Sequence, residues 1–304
     1  MVAPAVEAPV VIGLDVGGTK IRSGLVDREG TVLAEREMQS PASSEDEVLA
    51  ALDAAVESLL DERVAAIGYG IPANLERGTG RALWATNLPL TDVDVLARTR
   101  DRFGLPVGIE NDASAAALAE WRLGAGRGVD NLLMVTLGTG VGGGIVLDGA
   151  LVRSWVELGH VVVQEGGQVC TCGGHGHLEV LASGSAADVA AREFYGDDAD
   201  AHVLVGHAKA GDEAAVDALA HIGRTLGAVI GSLANLLDPE LVVIGGGFGA
   251  AAGRFVLEPA REAARREAIY PADRRLRVVP AQLGPESGLV GAGLVGFEAL
   301  DGLR

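Results

Sequence analysis

The chain has 304 residues, about twice the usual domain size, which excludes a mini-protein and leaves one large or two medium domains. With 24 Lys plus Arg against 42 Asp plus Glu the formal charge is −18, which repels nucleic-acid phosphates and anionic membrane surfaces alike. A content of 48% hydrophobic and 22% charged residues describes a folded globular chain, and the longest uncharged runs, such as Asn131 to Leu147, are too glycine-rich and short of the ~18–20 apolar residues of a membrane span. The segment before Lys20 has no basic residue and does not read as a signal peptide. The two cysteines, Cys170 and Cys172, are one residue apart, poorly placed to staple a fold, and point to a reducing, cytoplasmic compartment and to metal chemistry.

In chain order, a strand Val10 to Leu14 runs into the turn Asp15-Val16-Gly17-Gly18-Thr19-Lys20 and a second strand, Ile21 to Val26. A third strand is expected over Thr31 to Glu37, then a capping box in Ser44 and Glu47 and an amphipathic helix carrying Val48, Leu49, Leu52, Val56, Leu59 and Leu60. A strand Ala65 to Ile71, a helix Thr91 to Phe103, a strand Val107 to Ile109 and an alanine-rich helix opened by Asn111-Asp112 and running to Leu123 come next. The pattern then restarts: strand Leu132 to Leu137, turn Gly138-Thr139-Gly140, returning strand Gly144 to Leu147. Beyond a His/Cys/Gly-rich stretch (160–177) the spacing predicts helices near Ala186 to Tyr195 and over Glu213 to Leu237, strand Leu241 to Ile244, an Arg-rich helix about 254–269, strand Leu276 to Val279 and a final helix about 286–300. Alternating strands and helices with a repeated hairpin predict an α/β chain of two similar domains with a cleft between them.

Glycine turns between strands let backbone N–H groups approach an anion, so both turns are candidate phosphate loops: Gly17 and Gly18, with Thr19 and Lys20 adding a hydroxyl and a cation, and Gly138, Thr139 and Gly140. Asp15 stands where it can orient a hydrated Mg²⁺. Gly138, Gly140 and Gly143 satisfy a dinucleotide fingerprint, but a strand succeeds them where a helix is required; Gly245, Gly246 and Gly247 have the right context without the later acidic residue, and suit a flat floor under an adenosine. Asn111-Asp112 reads both as a helix cap and as a carboxylate kept ionised by the helix dipole, able to take a proton from a hydroxyl. His160, Cys170, Cys172 and His177 supply two imidazoles and two thiolates, a tetrahedral zinc set, with His175 as a rival ligand. Glu157 and Glu179 flank this cluster as candidate binders of hydroxyl groups.

Asp15 to Lys20, Asn87-Leu88, Glu110-Asn111-Asp112, Leu137 to Gly142, Glu157-x-Gly159-His160 and Cys170-x-Cys172-Gly173-x-x-Gly176-x-x-Glu179 together resemble a ROK-family sugar kinase of the hexokinase/actin-like ATPase superfamily over almost the whole chain. The resemblance implies a two-domain actin-like ATPase fold, with residues 1–112 plus the C-terminal helix 286–304 as the small domain and 113–285 as the large one. It implies Asp112 as the base for the sugar's attacking hydroxyl, Asn87, Asn111, Glu157, His160 and Glu179 around the sugar, ATP with Mg²⁺ as donor, structural zinc, and homodimers or homotetramers. Two departures stand out: His177 replaces the family's third signature cysteine, and Trp155 and Val156 precede Glu157 where small residues are usual. The bulk there makes an amino-hexose such as kanosamine a rival to glucose, and polyphosphate stays open as a rival donor. Family repressors carry a DNA-binding domain ahead of the first phosphate loop, where only 14 residues precede Asp15 here, so nucleic acid is not an expected partner. A noncatalytic sugar sensor is the remaining alternative, disfavoured by Asp112 together with two phosphate loops.

Overall fold

The computed structural model describes residues 8–85 and 87–303. Residues 1–7, the start of the segment considered as a leader, lie outside them. The chain divides into two compact units, one of Met1–Ala119, Arg153–Trp155 and Glu286–Arg304, the other of Glu120–Val152 and Val156–Pro285.

The first unit begins with β1 (Val10–Val16), β2 (Lys20–Val26) and β3 (Val32–Gln39), and continues through α1 (Glu45–Glu57) and β4 (Val64–Ile71). Ser44 caps α1 by accepting from Glu47 N at 3.3 Å, while the Glu47 carboxylate turns to Ser43 Oγ. Three short strands come next, β5 (Ala73–Leu75), β6 (Ala82–Ala85) and β7 (Thr91–Val93), and form a small antiparallel sheet of their own. The helix expected from Thr91 therefore starts later: Asp94 accepts from Ala97 N at 2.8 Å, and α2 spans Val95–Phe103. Then β8 (Val107–Asn111) leads straight into α3 (Asp112–Arg122).

The second unit carries β9 (Leu132–Leu137), β10 (Val141–Leu147) and β11 (Ala150–Leu151), then α4 (Glu179–Ala182) and α5 (Gly184–Tyr195). A helix not expected from the sequence, α6 (Ala201–Lys209), is capped by Asp200. The long α7 (Glu213–Leu237), β12 (Leu241–Gly245), α8 (Gly247–Ala252), α9 (Arg254–Glu267), α10 (Ala272–Arg275) and β13 (Arg277–Pro280) complete the unit.

The two large sheets repeat one topology. Their strand orders are β3-β2-β1-β4-β8 and β11-β10-β9-β12-β13, each with an antiparallel hairpin pair beside a parallel pair. Each sheet has its own core. In the first unit Ile12, Leu14, Ile67 and Tyr69 pack with Val48, Leu49 and Leu52 of α1; in the second, Leu133, Val135, Val242 and Ile244 pack with Leu219, Ile222, Leu226 and Ile230 of α7.

The last helix, α11 (Ser287–Leu300), belongs to the first unit and covers the other face of its sheet. Glycines fill one row of that face, Gly24, Gly13, Gly68 and Gly108 being cross-strand partners in β2, β1, β4 and β8. The row is a furrow: a Cβ on Gly68 would stand 1.9 Å from Ala292 O, and one on Gly108 2.3 Å from Val295 O. Absence of side chains lets the helix backbone lie on the strands, a contact no other residue permits.

Candidate active site

In the first unit the β1–β2 turn closes through Gly17 N–H donating to Lys20 O at 2.9 Å. Gly18 lies against Asn87, whose Cβ is 2.7 Å from where a Cβ on Gly18 would stand. Thr19 is exposed, and Lys20 Nζ lies 2.9 Å from Glu37 Oε2, so the expected phosphate cation is held in an exposed ion pair of the kind that exchanges readily. Asp15, at the end of β1, sits opposite Arg22 and against the first turn of α11, where a Cβ on Gly288 would come within 2.5 Å of its Oδ2. Burial pushes its carboxyl up to about 6, against the pull of Arg22 and Lys20.

At the β8–α3 junction Asn111 Oδ1 accepts from Ala113 N at 3.0 Å and Ser114 N at 3.2 Å, so Asn111 makes the helix cap. Asp112 occupies the first turn of α3. Alanine explains the close fit of this helix: a Cβ on Gly291 of α11 would lie 2.0 Å from Ala115 O.

In the second unit Glu179 organises the neighbourhood. Its Oε2 accepts from Val141 N at 3.0 Å, closing the turn Gly138-Thr139-Gly140, and leaves no room for a side chain at Gly140, whose Cβ would stand 2.1 Å away. The turn is also tied to α5 by Gly184 N–H to Gly138 O, 2.8 Å, and Ser185 Oγ to Thr139 O, 2.9 Å. Gly246, with φ of +82°, fits against the Leu137 backbone, which places the Gly245–Gly247 turn beside the Gly138–Gly140 turn. Glu157 and His160 face each other, Oε2 to Nε2 3.9 Å. Burial, reinforced by Glu179, holds the Glu157 carboxyl above its ordinary range, with His160 opposing.

The other nitrogen of His160 enters the His/Cys cluster. One donor atom from each of His160, Cys170, Cys172 and His177 lies within 4.8 Å of the others. His160 Nδ1 is 3.3 Å from His177 Nδ1, Cys170 Sγ is 3.7 Å from His160 Nδ1, and Cys172 Sγ is 3.3 Å from His177 Nδ1. Tetrahedral Zn–N and Zn–S bonds require donor separations of roughly 3.3–3.8 Å, so this donor set fits a zinc-sized cation. His175 is exposed and outside the cluster. Sequence reasoning gave no role to Arg153 or Glu120, and none to Glu110 beyond its place in the motif. Glu120 is fully buried and its carboxylate accepts from Ala125, Gln282 and Leu283 N–H at 2.9, 3.0 and 2.8 Å. A lone acid inside an alanine run was the available signal.

The chain is 34% identical over 306 residues to a glucokinase of Streptomyces coelicolor, covering 93% of this chain and 96% of that one. It is 34% identical over 293 residues to a kanosamine kinase of Amycolatopsis mediterranei, covering 93% and 95%. A solved ROK family glucokinase from Streptomyces griseus, in complex with glucose and AMPPNP, superposes with a TM-score of 0.87 at 35% identity over 95% of this chain and 99% of that one. The fold is accordingly the two-domain actin-like ATPase fold expected from the sequence. Since the ROK family pattern also matches residues 11–296, the chain belongs to the ROK family.

Proposed function

We propose that this chain transfers the γ-phosphoryl group of ATP to a hexose, at the 6-hydroxyl of glucose or a glucose-like sugar. The observation that carries the reading is the Glu179 carboxylate, which closes the second phosphate turn at Val141 while its charge acts on Glu157. A turn suited to phosphate and acids suited to hydroxyls are thus one assembly. End-to-end similarity to glucokinases, one of them solved with glucose and AMPPNP, supports it.

In this reading Asp112 accepts the proton of the attacking hydroxyl, and Asn87, Asn111, Glu157, His160 and Glu179 hold the sugar. Gly17, Gly18, Thr19, Lys20, Gly138, Thr139 and Gly140 approach the phosphates, Gly245, Gly246 and Gly247 floor the adenosine, and Asp15 orients hydrated Mg²⁺. Phosphoryl transfer asks mainly for positioning and charge stabilisation, which Mg²⁺ on the β- and γ-phosphates would supply. Zinc is the cation we assign to His160, Cys170, Cys172 and His177. Held there through Nδ1, His160 would keep its ring fixed with the Nε2 edge, 3.9 Å from Glu157 Oε2, facing Glu157.

A second reading, an amino-hexose kinase, is favoured by the relative from Amycolatopsis mediterranei and by Trp155 and Val156 ahead of Glu157. The test is coupled ADP release with Mg·ATP across glucose, mannose, fructose, glucosamine, kanosamine and N-acetylated hexosamines. The highest kcat/KM is expected for glucose; preference for an amino sugar selects the second reading, and silence across the panel leaves a sugar sensor. Among the described residues no helix is long and apolar enough to cross a membrane. We assign the chain to the cytoplasm, as a homodimer or homotetramer, which light scattering would count.

A further inference from the structure

Strand β8 is the outer strand of its sheet, paired with β4, and it ends at Asn111, directly before Asp112 opens α3. Glu110 precedes them. Only 6% exposed, it turns Oε1 back to accept from Asn111 N–H at 3.1 Å, while Oε2 accepts from Arg153 Nη1 at 2.7 Å. The other arm of the Arg153 fork, Nη2, donates to Glu298 Oε2 of α11 at 2.6 Å. A planar guanidinium presents two donors at a fixed spacing, so a carboxylate bound to one arm is oriented as well as neutralised. Arg153 neutralises this buried carboxylate, and its loss would loosen the hold of the carboxylate on the Asn111 N–H.

Arg153 is itself anchored by its two neighbours in the chain. Residues Arg153–Trp155 leave the second unit and belong to the first, and both neighbours are tied there: Ser154 Oγ accepts from Arg77 Nη2 at 2.7 Å, and Trp155 Nε1 donates to Leu75 O at 2.8 Å. The strap holds the guanidinium in place.

We propose that Arg153 is a positioning residue for phosphoryl transfer, fixing through Glu110 the backbone from which Asn111 and Asp112 project. The inference rests on the reading of Asp112 as the base. It is tested by steady-state kinetics, with Mg·ATP and the best sugar of the panel, on Arg153→Met, Arg153→Lys, Arg77→Ala and Asp112→Asn, alongside thermal unfolding. Arg153→Met is expected to lower kcat about 10- to 100-fold, with the sugar KM raised by less than kcat falls, because Asn111 shifts with the base, and the ATP KM within about threefold. Lysine neutralises Glu110 without the fork, and is expected to stand between, about three- to tenfold below the parent. Arg77→Ala cuts one of the two ties of the strap and leaves that of Trp155, so a fall in kcat smaller than that of Arg153→Lys, at most about threefold, is expected.

A lowered Tm with unchanged kcat in Arg153→Met would make the ion pair structural and overturn the proposal, as would raised KM values at constant kcat. If the methionine variant does not fold, Arg153→Lys decides: an unchanged kcat overturns, a fall in kcat larger than any rise in the sugar KM supports. Full turnover in Asp112→Asn removes the base reading and the inference with it. An inactive Asp112→Asn beside a fully active Arg153→Met removes the inference alone.

Discussion

The cap of α3 is made by Asn111 and not by Asp112, the residue proposed as base. Asn111 Oδ1 takes the N–H groups of Ala113 and Ser114, so an Asp112→Asn substitution leaves the cap in place. We expect that variant to bind sugar nearly as before, by calorimetry, while kcat falls about 10²- to 10⁴-fold, the usual range for loss of a general base; normal turnover would remove Asp112 from the chemistry. Asp15 offers a test by pH. Its folded carboxyl keeps its proton up to about 6, whereas the unfolded chain releases it near 3.8, so the native state binds the extra proton between those values. Stability is therefore fully retained below about 4, is lost as pH rises to 6, and stays reduced above. In the absence of Mg²⁺ and nucleotide, Asp15→Asn is expected to gain up to about 3 kcal/mol over the parent above pH 6 and nothing at pH 3.5. Urea midpoints at a series of pH values measure this, and a pH-independent difference would refute it.

The elements easiest to read in the sequence were those whose determinants are local. A run of β-branched residues, a glycine turn and a second such run specify a hairpin by themselves, and both Val10–Val26 and Leu132–Leu147 fold as one. Glu213–Leu237 was legible as a helix because its apolar residues recur at helical spacing over 25 residues. Strands β5, β6 and β7 were not, because three or four residues are too few to show alternation, and Thr91–Val93 was absorbed into the helix that Asp94 in fact starts. Helix α6 went unread behind the acidic run of Asp197, Asp198 and Asp200, the last of which is its cap. Contacts between distant residues leave no local signal at all: nothing near Glu110 announces Arg153 or Glu298. The His/Cys loop stands between these extremes, since its donor types are legible but their convergence is not. Metal analysis of the purified protein is expected to find about one zinc per chain, and Cys172→Ser to reduce both zinc content and Tm. A zinc-free protein of unchanged Tm would show the loop to be held by its turns alone.

At the scale of the molecule, two sheets of one topology have separate cores, and a defect in one should remain there. Gly68→Ala places a methyl carbon on the Ala292 carbonyl and forces α11 away from its furrow, at a cost of about 3 kcal/mol. Native-state hydrogen exchange is expected to quicken in β1, β2, β4 and β8 while β9, β10 and β12 keep their protection; loss of protection throughout would mean that the two units unfold as one. The furrow also sets a timetable for synthesis. Strands β1, β2, β4 and β8 are made before Ala119, but the helix that seals their glycine face ends at Leu300, 181 residues later. At ~5–20 residues per second the ribosome needs roughly ten to forty seconds to deliver it. Through that interval the second unit, continuous in the chain apart from the three-residue strap, can close while the first waits with one apolar sheet face in water. The part of the protein translated first is thus the last to be finished, and it is there that a nascent chain keeps an apolar face in water longest.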